Sequence, residues 1–119
     1  MTVLAKEYVE DFLKKFKHYA RKKLYAEDYA NWLQDLAELG IDRSERDKIL
    51  FSLSAENYFR GPSQDLDRPG EVWEFGYNLE DNQIYIKLKL VEGTSSIFAK
   101  CIKFHKAREL IPYPYRKVE

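Results

Sequence analysis

Gly70-Glu71-Val72-Trp73-Glu74-Phe75-Gly76-Tyr77-Asn78 decides the fold, together with Gln83-Ile84-Tyr85-Ile86-Lys87-Leu88-Lys89-Leu90-Val91, which follows it after one short turn. Both stretches alternate between two kinds of side chain, the period of two that marks a half-buried strand. A third run, residues 97–105, has the same habit and follows Glu92-Gly93-Thr94-Ser95-Ser96. Connections this short join antiparallel neighbours, so residues 71–106 read as an antiparallel meander.

Parity then sorts the side chains by face. Trp73, Phe75 and Tyr77 point one way, with Ile84, Ile86, Leu88 and Leu90 from the second strand and Phe98, Ile102 and Phe104 from the third. Val72, Glu74, Gly76, Tyr85, Lys87, Lys89, Cys101, Lys103 and His105 point the other way. Lys100 falls on the apolar side in this scheme. Either its stem runs to an edge, or the alternation breaks nearby.

Upstream of the meander the period is that of a helix. Tyr8, Phe12, Phe16 and Tyr19 recur at helical spacing over Lys6–Lys22, with Val9 and Leu13 widening the stripe. A second helix is expected over about residues 26–39, with Tyr29, Trp32, Leu33, Leu36 and Leu39 on one face and Gly40 as its left-handed terminator. Asp42-Arg43-Ser44-Glu45 has the form of a capping box. A short third helix follows from it, burying Ile49 and Leu50 with Leu53 near its end, and Ser54 can cap one further turn. Core packing is the ordinary job of all these aromatics.

Between the helical part, residues 1–58, and the sheet, residues 59–70 read as a mobile loop, because 61–70 is Gly-Pro-Ser-Gln-Asp-Leu-Asp-Arg-Pro-Gly. Its Asp65 and Asp67 are read as groups that cap the backbone or bind water, and no metal is assigned. The tail, residues 107–119, contains Ile111-Pro112-Tyr113-Pro114-Tyr115 and is expected to pack in extended form over an edge. The fold class expected is α+β in a single domain over residues 1–119, with the N-terminal helices on one face of the sheet.

Composition narrows the function. The chain has 119 residues, of which 45% are hydrophobic and 34% charged, enough for one core and inconsistent with disorder. No apolar run approaches the ~20 residues of a membrane helix. The first residues, Met1 to Glu7, lack the apolar stretch of a secretory signal, which leads to the expectation of a cytoplasmic protein. A single cysteine, Cys101, makes no internal disulfide, and with His18 and His105 it matches no zinc spacing. The net charge of zero hides an asymmetry. Residues 1–81 carry 12 basic and 17 acidic groups, residues 82–119 carry 8 and 3. A basic face suits a polyanion, although solvated lysines on a wet sheet face are the commoner case.

If the three strands share one sheet, Glu74, Tyr85, Lys87, Lys89, Lys103 and His105 lie together on its open face. A carboxylate, an imidazole, a phenol and several cations are the parts of a ribonuclease that needs no metal. Arg60, beside the loop, adds a bidentate phosphate contact. Polar outer faces and cross-strand Glu-Lys pairs also arise with no catalysis.

Leu53-Ser54 with Tyr58, then Val72-Trp73-Glu74, then Ile84-Tyr85-Ile86-Lys87-Leu88, and finally Ile102-Lys103-Phe104-His105 together resemble the motility quorum-sensing regulator (MqsR-like) toxins of the RelE-type ribonuclease superfamily. The likeness covers about residues 50–105 and reaches loosely into the Tyr-Pro tail. It implies a RelE-like fold and the toxin of a type II toxin–antitoxin system, an mRNA interferase held inactive by a cognate antitoxin, expected to be a helix-turn-helix protein. Arg60 stands where the family's type member has a lysine, Glu74 where it has glutamine, and His105 where it has lysine, whereas Tyr85 matches directly. The resemblance thus implies catalytic roles for Glu74, His105, Arg60 and Tyr85 and RNA contacts from Lys87, Lys89 and Lys103. No cofactor is implied. The alternative is a non-catalytic module that binds RNA or an acidic partner on the same face, or a regulator that keeps the fold without the activity.

Overall fold

The computed structural model describes residues 5–116, so the expectations for Met1 to Leu4 and for the last three residues lie outside the described part. Among the described residues no helix is long and apolar enough to cross a membrane. The chain is α+β. Three α-helices, α1 (Lys6–Lys22), α2 (Trp32–Leu39) and α3 (Arg43–Ser52), precede most of a five-stranded sheet. Its strands are β1 (Leu24–Tyr25), β2 (Tyr58–Gln64), β3 (Glu71–Leu79), β4 (Asn82–Glu92) and β5 (Ile97–Lys106). Their order across the sheet is β1-β5-β4-β3-β2, antiparallel except for the parallel β1–β5 pair.

The β3-β4-β5 meander has the boundaries its alternation predicts, to within a residue or so. Two corrections enlarge it. Residues 58–64, expected to lie mostly in a loop, form strand β2 against β3. A strand containing Gly-Pro is possible here because β2 has only one neighbour, so the amide that Pro62 lacks is not needed for a ladder. Register shifts on either side of Arg60 absorb the irregularity. Gly61 adopts φ +114 with β3 so close that a Cβ would lie 2.9 Å from the Val72 carbonyl. The second correction is at residues 24–31. The expected helix starts only at Trp32, because Leu24 and Tyr25 run beside β5. Tyr29 then donates its hydroxyl to the Phe104 carbonyl at 3.0 Å, satisfying the β5 edge beyond the short β1.

The helical stripe does most of what its spacing predicts. Val9, Phe12, Leu13 and Phe16 are buried against the sheet, and Phe12 stacks on Trp73 with centroids 4.2 Å apart. Tyr8 and Leu33 do not join the core; they are 62% and 65% exposed, each in the first turn of its helix. Gly40 closes α2 at φ +70 and Asp42 makes the reciprocal capping box with Glu45. Ser54 caps the short turn at Ala55–Asn57, as its position predicts.

Parity fails at one point. On β5, Lys103 is opposite Lys87 but Cys101 is opposite Leu88, so Ile102 is an extra, bulged residue. Everything before it changes face. Cys101 and Ala99 are buried in the core, whereas Phe98 is 38% exposed and Ile102 turns to the open face. The anomaly of Lys100 is thereby resolved: it lies on the polar side and pairs with Asp28 at 3.4 Å. The tail departs in part from expectation. It crosses one end of the open face before reaching the β2 edge, where Tyr115 packs on Tyr58 with ring centroids 5.7 Å apart. The Ile111 N–H donates to Gln83 Oε1 at 2.8 Å and the Ile111 carbonyl accepts from Gln83 Nε2 at 3.1 Å, and Tyr113 lies over Gly76, which has no side chain to obstruct it.

Candidate functional site

The open face has three zones along the strands. The tail covers one end, and the loop over residues 65–70 covers the other. Between them runs a cross-strand row, Arg60 on β2, Glu74 on β3, Lys87 on β4 and Lys103 on β5. The neighbouring row places Gly76, Tyr85 and His105 side by side.

Glu74 is the hub. It is only 5% exposed, and a buried carboxylate persists only where its charge is answered. Arg60 donates from Nε to Oε2 at 2.6 Å and from Nη2 to Oε1 at 3.1 Å, a bidentate fork. The Tyr85 hydroxyl donates a short hydrogen bond to Oε1. Burial by itself would raise the Glu74 pKa. The hydrogen bonds from Arg60 and Tyr85, helped by the charges of Arg60 and Lys87, override that and hold the carboxyl below its usual range. Burial first, and the Glu74 carboxylate second, raise the Tyr85 phenol above its ordinary value, so it remains a protonated donor.

His105 joins through Tyr85. Their ring centroids are 5.2 Å apart, and His105 Nδ1 lies 2.9 Å from the Lys106 carbonyl. When Nδ1 carries the proton donated to that carbonyl, Nε2 is left for exchange with a ligand. Glu74 and His105 do not touch. Strand spacing separates their backbones by about 12 Å, with Tyr85 between them. The expected cluster is therefore a chain, Arg60–Glu74–Tyr85–His105, and its first three members are directly hydrogen-bonded.

A groove of about 590 Å³ opens above the row, with Arg60, Glu74, Lys87 and Lys103 along one wall and Gly61 to Asp67 along the other. The Arg60 side chain is 45% exposed at its mouth, so this cation is both paired and accessible. Lys89 is the exception among the expected RNA contacts. Its ammonium is buried, donating to Asp65 Oδ2 at 2.6 Å and to the Pro69 carbonyl at 2.7 Å. It ties the loop to the sheet and presents no charge to a polyanion. Asp65 also accepts from the amides of Asp67 and Arg68, the capping role its position predicts.

Sequence reading missed the loop latch, because Asp65 and Lys89 are far apart in the chain and both look solvated. It also missed Ile102 on the open face; the misplaced Lys100 was the one available signal. Cys101 is enclosed, and burial pushes its thiol up to about 12, which leaves no thiolate for chemistry. Among the described residues no group of His, Cys, Asp and Glu is placed to hold a metal ion. Comparison with protein-family models, curated proteins and solved structures finds no match for this chain.

Proposed function

We propose that the protein is an endoribonuclease that cleaves RNA by attack of a ribose 2′-hydroxyl on the adjacent phosphorus, acting as the toxin of a toxin–antitoxin pair. The reading rests on one observation above others. A buried, ionised carboxylate is gripped by a guanidinium that is itself open to solvent at a groove, with a phenol and an imidazole next in line. The resemblance of the motifs around Glu74, Tyr85 and His105 to RelE-type toxins supports it independently.

In this mechanism the substrate phosphate takes over the Arg60 guanidinium, which prefers bidentate oxyanions. Glu74 loses its strongest partner in the same event. Its proton affinity then rises toward that of a buried carboxyl, and it accepts the 2′-hydroxyl proton. Tyr85 keeps Glu74 oriented. Arg60 stabilises the charge that grows on the phosphate oxygens. His105, protonated beside the RNA backbone, gives its proton to the departing 5′-oxygen. A 2′,3′-cyclic phosphate and a 5′-hydroxyl result, so the attacking oxygen comes from the substrate.

A second reading has a specific observation in its favour. Both Glu74 oxygens are hydrogen-bonded, which also describes a structural ion pair beneath a non-catalytic RNA-binding surface. Cleavage of a single-stranded RNA in the presence of a chelator separates the two. Glu74→Gln and His105→Ala are expected to slow cleavage roughly 10²–10⁴-fold each while melting cooperatively. Variants that cut as fast as wild type contradict these roles, and a wild-type protein that retains RNA without cutting it is the binding module.

A further inference from the structure

The open face carries two pairs of lysines directly opposite one another across β4 and β5, Lys87 with Lys103 and Lys89 with Lys100. Like charges in that relation repel and destabilise a sheet. The second pair is neutralised within the fold, Lys89 by Asp65 at 2.6 Å and Lys100 by Asp28 at 3.4 Å. The first is not. Among the described residues no carboxylate lies within ion-pairing distance of Lys87 or Lys103. Lys103 sits over the Tyr29 ring, Nζ to centroid 5.5 Å, which holds a cation in place without cancelling its charge. Glu74, opposite Lys87 on β3, is hydrogen-bonded to Arg60 and Tyr85, so Lys87 helps to keep it ionised without forming an ion pair of its own.

Both uncompensated lysines line the groove, and the bulge turns Ile102 onto the same wall. We infer that Lys87 and Lys103 form a subsite for one phosphodiester of single-stranded RNA, bound through its non-bridging oxygens, on the far side of Glu74 from the phosphate held by Arg60. Strand spacing puts the midpoint of the pair about 7 Å from Glu74 and about 12 Å from Arg60, so the carboxylate lies between the two phosphate positions. One phosphate accepts from both ammonium groups at once and converts their mutual repulsion into attraction. The subsite rests on the ribonuclease reading for the identity of the polyanion, but its lysines do not take part in proton transfer there.

The test uses the full chain and a short single-stranded oligonucleotide 2′-O-methylated throughout, which has no attacking hydroxyl and reports binding alone. Affinity measured against salt concentration is expected to lose about 0.7 from its logarithmic slope in K87Q/K103Q, one phosphate contact, and nothing in K100Q. A second readout guards against misfolding. At low salt K87Q/K103Q should still melt cooperatively and close to the wild-type temperature, whereas K89Q, which breaks a buried ion pair, should melt lower. An unchanged slope in K87Q/K103Q overturns the subsite even if unmodified RNA is still cut. A lost slope with no cutting of unmodified RNA by wild type upholds the subsite and removes the nuclease. Binding of polyglutamate as tight as that of the oligonucleotide overturns the assignment to RNA.

Discussion

The two faces of the sheet bury their side chains by opposite means. On one, Phe75, Ile84, Ile86, Leu88 and Phe104 are almost fully enclosed beneath the helices, and Phe12 stacks on Trp73. On the other, beside the small apolar contacts of Val72 and Ile111, the enclosed groups are the Glu74 carboxylate and the Lys89 ammonium, each held by an opposite charge and a further hydrogen bond. Apolar burial is non-directional and tolerates any well-shaped neighbour. Burial of charge is directional and fails when one partner leaves. The helical face can therefore set stability while the polar face fixes a few groups in orientation, and mutations should separate the two.

The largest effect is expected on the apolar side. Phe75→Ala removes a ring that meets both Phe12 and Tyr58, and should cost about 3–5 kcal/mol in denaturant unfolding. Lys89→Met comes next, at about 1–3 kcal/mol, because it strips Asp65 of its buried partner while keeping the side-chain volume. This variant also carries a pH signature. The hydrogen bond from Lys89, with the amide of Asp67, holds the Asp65 carboxyl down to about 2, below its unfolded value of about 4. The contribution is therefore complete above pH 4 and disappears as pH falls toward 2. Acid titration of stability should be flatter over that window in Lys89→Met than in wild type. An identical acid limb would mean that the latch is not what holds Asp65 ionised.

The smallest effect tests the covered end of the polar face. A Cβ at Gly76 would lie 2.8 Å from the Tyr113 hydroxyl and 3.0 Å from Ile111 Cδ1. Those are ends of side chains that can move, so Gly76→Ala should cost about 1 kcal/mol and act by loosening the tail. Faster amide exchange at Ile111, with the β3–β4 ladder unchanged, is the expected outcome. Uniform destabilisation would show that the tail is part of the sheet's own cooperative unit.

The same contrast explains what could be read in the chain. The meander, the first helix, the Asp42 capping box and the Ser54 cap were legible because each is encoded within a few residues of itself. Strand β2 was hidden, since Gly61 and Pro62 signal a turn wherever no edge is available to accommodate them. The bulge at Ile102 was visible only as a lysine on the wrong side. For the site, parity brought Glu74, Tyr85, Lys87, Lys103 and His105 to one face, because alternation is all that a face requires. It said nothing about which of them are enclosed. Lys89 and Lys87 are equivalent in sequence, yet one is consumed by the loop and the other opens on the groove. That difference depends on how the 65–70 loop folds back, a long-range fact.

The chemistry at Glu74 is tested most directly by the ends of the RNA it leaves. Single-stranded RNA incubated with the wild-type protein in a chelator should yield 2′,3′-cyclic phosphate and 5′-hydroxyl termini, readable by phosphorus NMR, with the Glu74→Gln protein producing almost none. Intact RNA, or fragments ending in 5′-phosphate and 3′-hydroxyl, would contradict attack by the ribose hydroxyl and with it the role given to this carboxylate.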